Sequence, residues 1–431
     1  MNLPGTILMG AQDRLLDPTI PYRYFATALA FHVVLWALIA LNPTAVAEFV
    51  GGPGPVLAAL HGLTLGVLSA TAFGAAFQVL PVATGVPLRS TAAARLVSWL
   101  YIPGTAILLW GMHEGEHLPM AAGGIAVVCG FAIFVILVGE VLWKAAAFEA
   151  VRHFGLMAMI GLGLTVALGM ILIVDDGHGI LEQRLDVAGA HVIVAVFGFM
   201  GMLAFGFSHI LIPLFALAQG VPALESRAAF GLVVVAVGAA ALGSFLGTMI
   251  LAGGAAIFGI VGAAVHFRSM WRCLRGGMRK NLGVSLAMIV SGWGSLIVGL
   301  VLFVAVSGDW LEDRGLRLSM FFILFGWLLT FLLGVLQRIL PFLGAMNATG
   351  AGNKPPRPSE LAPEPLLRSH AALHFLALVL LGLGIALEDA LYVRTGAITG
   401  FFSALIFVGF ATRVWWMVHS SSQSKTKKET T

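Results

Sequence analysis

The sequence predicts an all-α, polytopic membrane protein of twelve helices arranged as three equivalent groups of four, and three observations carry that expectation. First, 59% of the 431 residues are hydrophobic, only 10% are charged and the mean hydropathy is +0.98. Soluble globular domains carry about 25% charged residues, so this chain belongs in lipid. Second, about 20 consecutive apolar residues suffice for a helix to cross the hydrocarbon, and twelve such stretches can be counted. Third, one pattern is written three times. A glycine is followed eight residues later by a second and seven after that by a proline: Gly66, Gly74, Pro81; Gly198, Gly206, Pro213; Gly326, Gly334, Pro341. The prolines lie 132 and 128 residues apart, which makes the repeat a spanning unit and not a local motif.

In order, the expected spans are 23–43, 55–81, 92–112, 120–146, 151–174, 188–218, 227–249, 252–272, 283–306, 318–343, 369–387 and 396–418. The recurring pattern falls on the second, sixth and tenth. The units are therefore 23–146, 151–272 and 283–418, between a cytoplasmic amino-terminal segment, 1–22, and a basic cytoplasmic tail, 419–431. No signal peptide is expected, because Asp13, Arg14 and Asp17 precede the first apolar run. Other positions keep the same phase. Arg95 and Arg227 follow the first two prolines by fourteen residues, and Arg368 follows the third once a polar insertion within 347–365 is allowed for. Trp143, Trp271 and Trp416 end the units, three residues after Glu140, Arg268 and Arg413, as interfacial anchors do. The 53 glycines are read as small faces for close helix approach, as in Gly62-xxx-Gly66.

Charge sets the orientation. With both termini in the cytoplasm, all but four of the 24 Lys and Arg lie inside, the exceptions being Arg184, Arg314, Arg317 and Arg394. The net charge of +4 thus reflects topology and gives no reason to expect nucleic acid. The densest basic block, Arg268 to Lys280, joins the eighth and ninth spans, and the tail Lys425, Lys427 and Lys428 is expected as a solvated basic end in reach of anionic lipid. The expected setting is a bacterial-type inner membrane, with the bilayer itself the first partner. Cys129 and Cys273 fall at different depths, so no disulfide is expected.

Carboxylates and cations are nearly absent from the middles of the spans, which argues against a carboxylate proton relay. Histidine remains, and neutral imidazole is a common ligand for haem iron and copper. His61 and His191 stand near the outer heads of two helices that the repeat makes equivalent; the third copy carries Ser319 and Phe321 instead. These two are the first candidates for cofactor and metal ligands. His32, midway along the first span, is a second-tier metal ligand. His370 and His374 have the i, i+4 spacing of a chelating pair, although at a cytoplasmic interface the ordinary expectation is solvation. His153 and His209 carry the same interfacial expectation. Outside, His113, His117 and Asp175-Asp176-Gly-His178 offer groups that could collect a divalent ion. No phosphate-binding glycine loop, zincin helix or Cys-x-x-Cys-His attachment is present, which excludes covalent c-type haem.

The text His61-Gly-Leu-Thr-Leu-Gly66 with Phe73-Gly-Ala-Ala-Phe-Gln-Val-Leu-Pro81, on the second of twelve helices, resembles the catalytic subunit of haem-copper oxidases and nitric oxide reductases. The sixth helix, His191-Val-Ile with Gly198-Phe and Gly206-Phe-Ser-His-Ile-Leu-Ile-Pro213, is similar to that of a divergent branch. The resemblance implies that His61 is an axial ligand of a b-type haem and that His191 matches a copper ligand. It also implies what is missing. Ser319-Met320-Phe321 stands where an oxidase has its tenth-helix His-x-His, and 219–254 lacks the paired copper histidines. Oxygen reduction at a dinuclear site is therefore not expected. The implied function is a membrane redox protein binding haem, copper or both, with His191 or Met320 as the second ligand of His61 and an electron donor or a respiratory subunit as partner. A weaker similarity is to NnrS-type proteins of nitric oxide stress. A permease or an assembly partner of a respiratory complex on the same scaffold is the reading from another class.

Overall fold

The computed structural model describes residues 15–279, 283–350 and 358–429, with side chains given except at 348–350, 358–359 and beyond 418. The start of the amino-terminal segment, Lys280, residues 351–357 of the 347–365 insertion and the side chains of the basic tail lie outside the described residues. Within them the fold is all-α, with twelve helices long and apolar enough to cross a bilayer. They are α1 Thr19–Leu41, α2 Pro55–Thr84, α3 Thr91–Glu114, α4 His117–Lys144, α5 Glu149–His178, α6 Arg184–Ala216, α7 Ala223–Phe245, α8 Met249–Gly276, α9 Gly283–Ser307, α10 Asp313–Asn347, α11 Glu364–Leu387 and α12 Ala390–Val418. An even number of spans returns the chain to its starting side. Both ends therefore lie on one face, here termed terminal, and the heads of the even-numbered helices lie on the other, termed distal.

The helices pack with pseudo-threefold regularity. In each unit the third and fourth helices form a tight antiparallel hairpin: α3 with α4, α7 with α8, α11 with α12. The first helix of each unit leans on the last helix of the unit before it, α5 on α4 and α9 on α8, and α1 on α12 closes the ring. At that closing seam the buried indole of Trp36 fills the space beside Gly400. The second helices lie innermost. The apolar windows of α2, α6 and α10 are 67%, 61% and 78% buried, against 22% to 44% for the other nine, whose outer faces are left to lipid.

The recurring glycines now have a structural reason. Each marks a close approach to the first helix of the same unit. A side chain at Gly66 would meet the Phe31 ring, one at Gly198 would lie against Val194 and Gly161, and one at Gly326 would meet Ser295. The second glycines repeat this with Phe25, Phe154 and Ser285. In all three copies the first glycine is the fifth residue of an eight-residue π-helical segment: Gly62–Ser69, Val194–Gly201 and Phe322–Leu329. A π-turn takes in one extra residue and leaves the regular ladder short of a partner. In lipid an unpaired backbone group is costly, so side chains supply one. The Tyr101 hydroxyl donates to Leu65 O at 2.8 Å and the Thr330 hydroxyl to Phe325 O at 2.8 Å, both carbonyls lying one residue before the recurring glycine. Ser69 adds a bond to Thr64 O at 2.7 Å.

Ion pairs and aromatic contacts hold the charged residues at the two faces. Of the four arginines on the distal face, Arg184 pairs with Asp175 at 2.6 Å and Asp176 at 3.3 Å, while Arg314 and Arg317 both pair with Glu388. Trp143 and Trp271 lie exposed at the terminal ends of α4 and α8, each under a guanidinium, Arg152 at 5.3 Å and Arg275 at 5.8 Å.

The α5/α6 approach is the tightest test of this packing, because a side chain at Gly161 would strike the Gly198 carbonyl and no flexible atom could yield. Gly161→Leu should cost at least the 1–3 kcal/mol typical of about one overpacked residue, read as a lower midpoint of thermal unfolding in detergent. Gly139→Ala, with no atom within 4 Å of the added methyl, should change the midpoint little. Equal midpoints for the two variants would contradict the interface.

Candidate functional site

His61 ends the first α-helical stretch of α2, immediately before the turn widens at Gly62. His191 lies in the same stretch of α6, three residues before its π-segment. Both are six or seven residues into their helices, so each is about 9–10 Å below the distal end at 1.5 Å per residue. The fold brings them together. The ring centroids are 6.3 Å apart, the planes are inclined by 20°, and both rings are half-buried.

Hydrogen bonding sets the chemistry of this pair. His61 donates from Nδ1 to Leu57 O at 3.0 Å, and His191 donates from Nδ1 to Thr165 O on α5 at 3.1 Å. A carbonyl only accepts, so the proton of each neutral ring is on Nδ1 and the lone pair is on Nε2. Carbonyl-oriented imidazoles of this kind are the usual form of a metal-ligating histidine. Gly169 on α5 makes room for the arrangement: a Cβ there would sit 3.1 Å from Cε1 of His191. In the third unit the place of His191 is taken by Ser319, which is buried and donates to Gly299 O at 2.9 Å, and the place of His61 by Phe321, which is buried against Gly382 of α11. That head of the pseudo-threefold carries no imidazole.

The 6.3 Å between ring centres is close to what a single metal atom bridging two imidazoles in line would require. Two metal–nitrogen bonds of about 2 Å, with roughly 1.1 Å from nitrogen to ring centre at each end, reach about 6.2 Å between centroids. Among the described residues no three His, Cys, Asp or Glu side chains come together as a metal-binding group. A metal held here would have two protein ligands, too few for tetrahedral zinc. His61 and His191 would suffice to hold a haem iron or a Cu(I) ion. Met320, offered by the sequence as another ligand, is half-buried on α10.

His32, His370 and His374 form a second polar cluster, between α1, α10 and α11. The expectation that His370 and His374 are solvated is overturned: they are 1% and 0% exposed. The face of α11 that carries them packs on α10 and on Phe407 of α12, whose ring is 4.7 Å from that of His370. Each of the three has a local partner. Trp36 donates Nε1–H to His32 Nε2 at 3.1 Å, His374 Nε2 bonds the Thr330 hydroxyl at 2.8 Å, and Gln337 Nε2 donates to His370 Nδ1 at 3.0 Å. Thr330 passes this on to the Phe325 carbonyl, so His374 supports a π-segment as Tyr101 does directly in the first unit. A void of about 10 Å³ beside His32 and Thr71 is large enough for about one water molecule.

A third pair escaped the sequence reading. His266 on α8 is 2% exposed and its ring centroid is 5.3 Å from that of His209 on α6. The signal available was a histidine in the middle of an apolar span, the same signal that singled out His32. His209 also departs from its expected interfacial place, its Nε2 being buried. His153, by contrast, is exposed at the terminal face, 3.9 Å from Glu149. On the distal face, His117 and His178 are 5.9 Å apart, but the Asp175 carboxylate is committed to Arg184 and to the Leu181 amide at 2.7 Å. That leaves the loop short of the oxygen ligands a divalent ion needs.

A scan of the chain against protein-family models gives no match, and a search of curated proteins gives none. The architecture is that of a twelve-helix polytopic membrane protein with two adjacent histidines, one from each of two equivalent helices, near one face.

If carbonyl bonds orient both rings as described, nitrogen NMR of histidine-labelled protein without added metal should show His61 and His191 as the Nδ1–H tautomer at neutral pH. Gly169→Val should convert the His191 signal to a mixture. An Nε2–H tautomer at either ring in the parent protein would contradict the assignment.

Proposed function

We propose that this is a membrane redox protein in which Nε2 of His61 and Nε2 of His191 hold a single centre, the iron of a b-type haem or a copper ion, between α2 and α6. The observation that carries the reading is the convergence of two symmetry-related imidazoles, both with Nδ1 committed to a carbonyl, at a spacing that fits one metal atom. When bound, such a centre supplies reversible one-electron chemistry. The chain's own part is to fix both ligands before the centre arrives. The Leu57 and Thr165 carbonyls raise imidazole basicity and hold the rings, and Gly169 keeps the wall of α5 clear.

Half-buried rings about 10 Å below the distal end suit exchange with a small molecule or an electron donor from that side. The distribution of arginines supports reading that side as the outside of a bacterial-type inner membrane, with both termini cytoplasmic. The resemblance to haem-copper oxidases and nitric oxide reductases supports the same class of chemistry. The substitution of Ser319 and Phe321 for histidines argues for one centre and no dinuclear oxygen site. A role like that of NnrS-type proteins in nitric oxide stress is compatible with this arrangement.

The reading is tested on protein purified in detergent from haem- and copper-replete cells. It predicts about one haem or one copper per chain, with retention falling by about 10- to 100-fold or more in both His61→Ala and His191→Ala. Absence of a Soret band together with absence of stoichiometric copper would remove the reading. A spectrum unchanged in both variants would remove these two residues from it.

A further inference from the structure

Beyond that centre, we propose that His209 and His266 form a second metal site that takes one Cu(I) ion, toward the terminal face between α5, α6 and α8. His209 lies eighteen residues after His191 on the same helix, about 27 Å further along at 1.5 Å per residue, so the two sites cannot share an ion.

The first argument is the unmet hydrogen bonding of the pair. His266 is 2% exposed, and neither Nδ1 nor Nε2 of its ring has a hydrogen-bond partner; the buried Nε2 of His209 has none either. His370 Nε2 and His374 Nδ1 are also buried without a partner, but each of those rings bonds through its other nitrogen, whereas His266 bonds through neither. Buried polar atoms without partners are rare enough to require a cause, and here three occur on two adjacent rings. A shared ion would satisfy one lone pair on each.

The second argument is reach. The centroids are 5.3 Å apart with planes at 75°, so the rings do not stack face to face. Two bonds of about 2 Å plus about 1.1 Å within each ring span about 6.2 Å when linear, so the two rings need to separate by only about 1 Å to hold a two-coordinate Cu(I) between them.

The third argument selects the ion. No third His, Cys, Asp or Glu joins the pair among the described residues, which leaves calcium, magnesium and manganese without oxygen ligands and zinc without its four. Imidazole nitrogen suits copper, and Cu(I) accepts low coordination numbers. A single positive charge is also much less costly to bury than a double one. The walls suit a cation: Phe205 is 4.4 Å and Phe267 5.8 Å from His266 between ring centroids, and Phe154 is 5.7 Å from His209 and 6.2 Å from His266. Aromatic faces attract a desolvated cation.

The test is anaerobic titration of the full-length protein with Cu(I) against a chromogenic chelator. The His61→Ala/His191→Ala variant, which lacks the first centre, should still bind about one Cu(I) per chain. Adding His266→Phe should lower that affinity at least 100-fold. X-ray absorption of the Cu(I)-loaded double variant, which leaves the new pair intact, should show two imidazole nitrogens on copper. Absence of Cu(I) binding in the double variant, retention after His266→Phe, or a copper environment without imidazole would each overturn the proposal. None of these outcomes bears on a haem band or copper signal lost with His61 and His191, so the two proposals fail separately.

Discussion

In hydrocarbon no water is available to an unpaired backbone group, and this constraint governs the centre of the molecule. Three helices meet there, and each widens to a π-turn beside the glycine where its neighbour comes closest. The widening leaves backbone groups that the bundle itself must satisfy. Tyr101 does so in the first unit, and Thr330, backed by His374, does so in the third. Some of the intramembrane polar residues are therefore part of the architecture.

The site depends on where the widening falls. His61 and His191 occupy the last regular turns before the π-segments, so the distortion sets the direction in which their rings leave the helix. The pseudo-symmetry brings two such heads together near the distal face, and the third unit breaks it with Ser319 and Phe321. Repetition thus builds the framework, and divergence of one copy reduces what it can hold. Toward the middle of the bundle, Trp327 lies within 6.0 Å of Phe197 and 5.9 Å of Phe205, ring to ring, where α6 and α10 meet.

The twelve spans and their grouping were legible because span length, glycine spacing and the asymmetry of basic residues are one-dimensional signals. The structure adds a few residues to most helix ends and otherwise keeps the expected order. The pairing of His61 with His191 could be anticipated from the repeat, but the carbonyls that orient them could not. Thr165 is a backbone acceptor on another helix and leaves no trace in side-chain chemistry. The π-segments were equally hidden, since nothing in residue type distinguishes a widened turn from a regular one. The burial of His370 and His374 was misjudged because distance from a helix end was taken as exposure, whereas the face they occupy packs inward. His266 was missed because it stands outside the recurring pattern.

The central claim is that two imidazole nitrogens, one from each of two symmetry-related helices, share one metal atom. Pulsed electron paramagnetic resonance of the oxidised protein with nitrogen-15 histidine measures it most directly. The account predicts coupling to two imidazole nitrogens, reduced to one when either His61 or His191 is replaced. A paramagnetic centre coupled to a single histidine, or coupling untouched by both replacements, would contradict it.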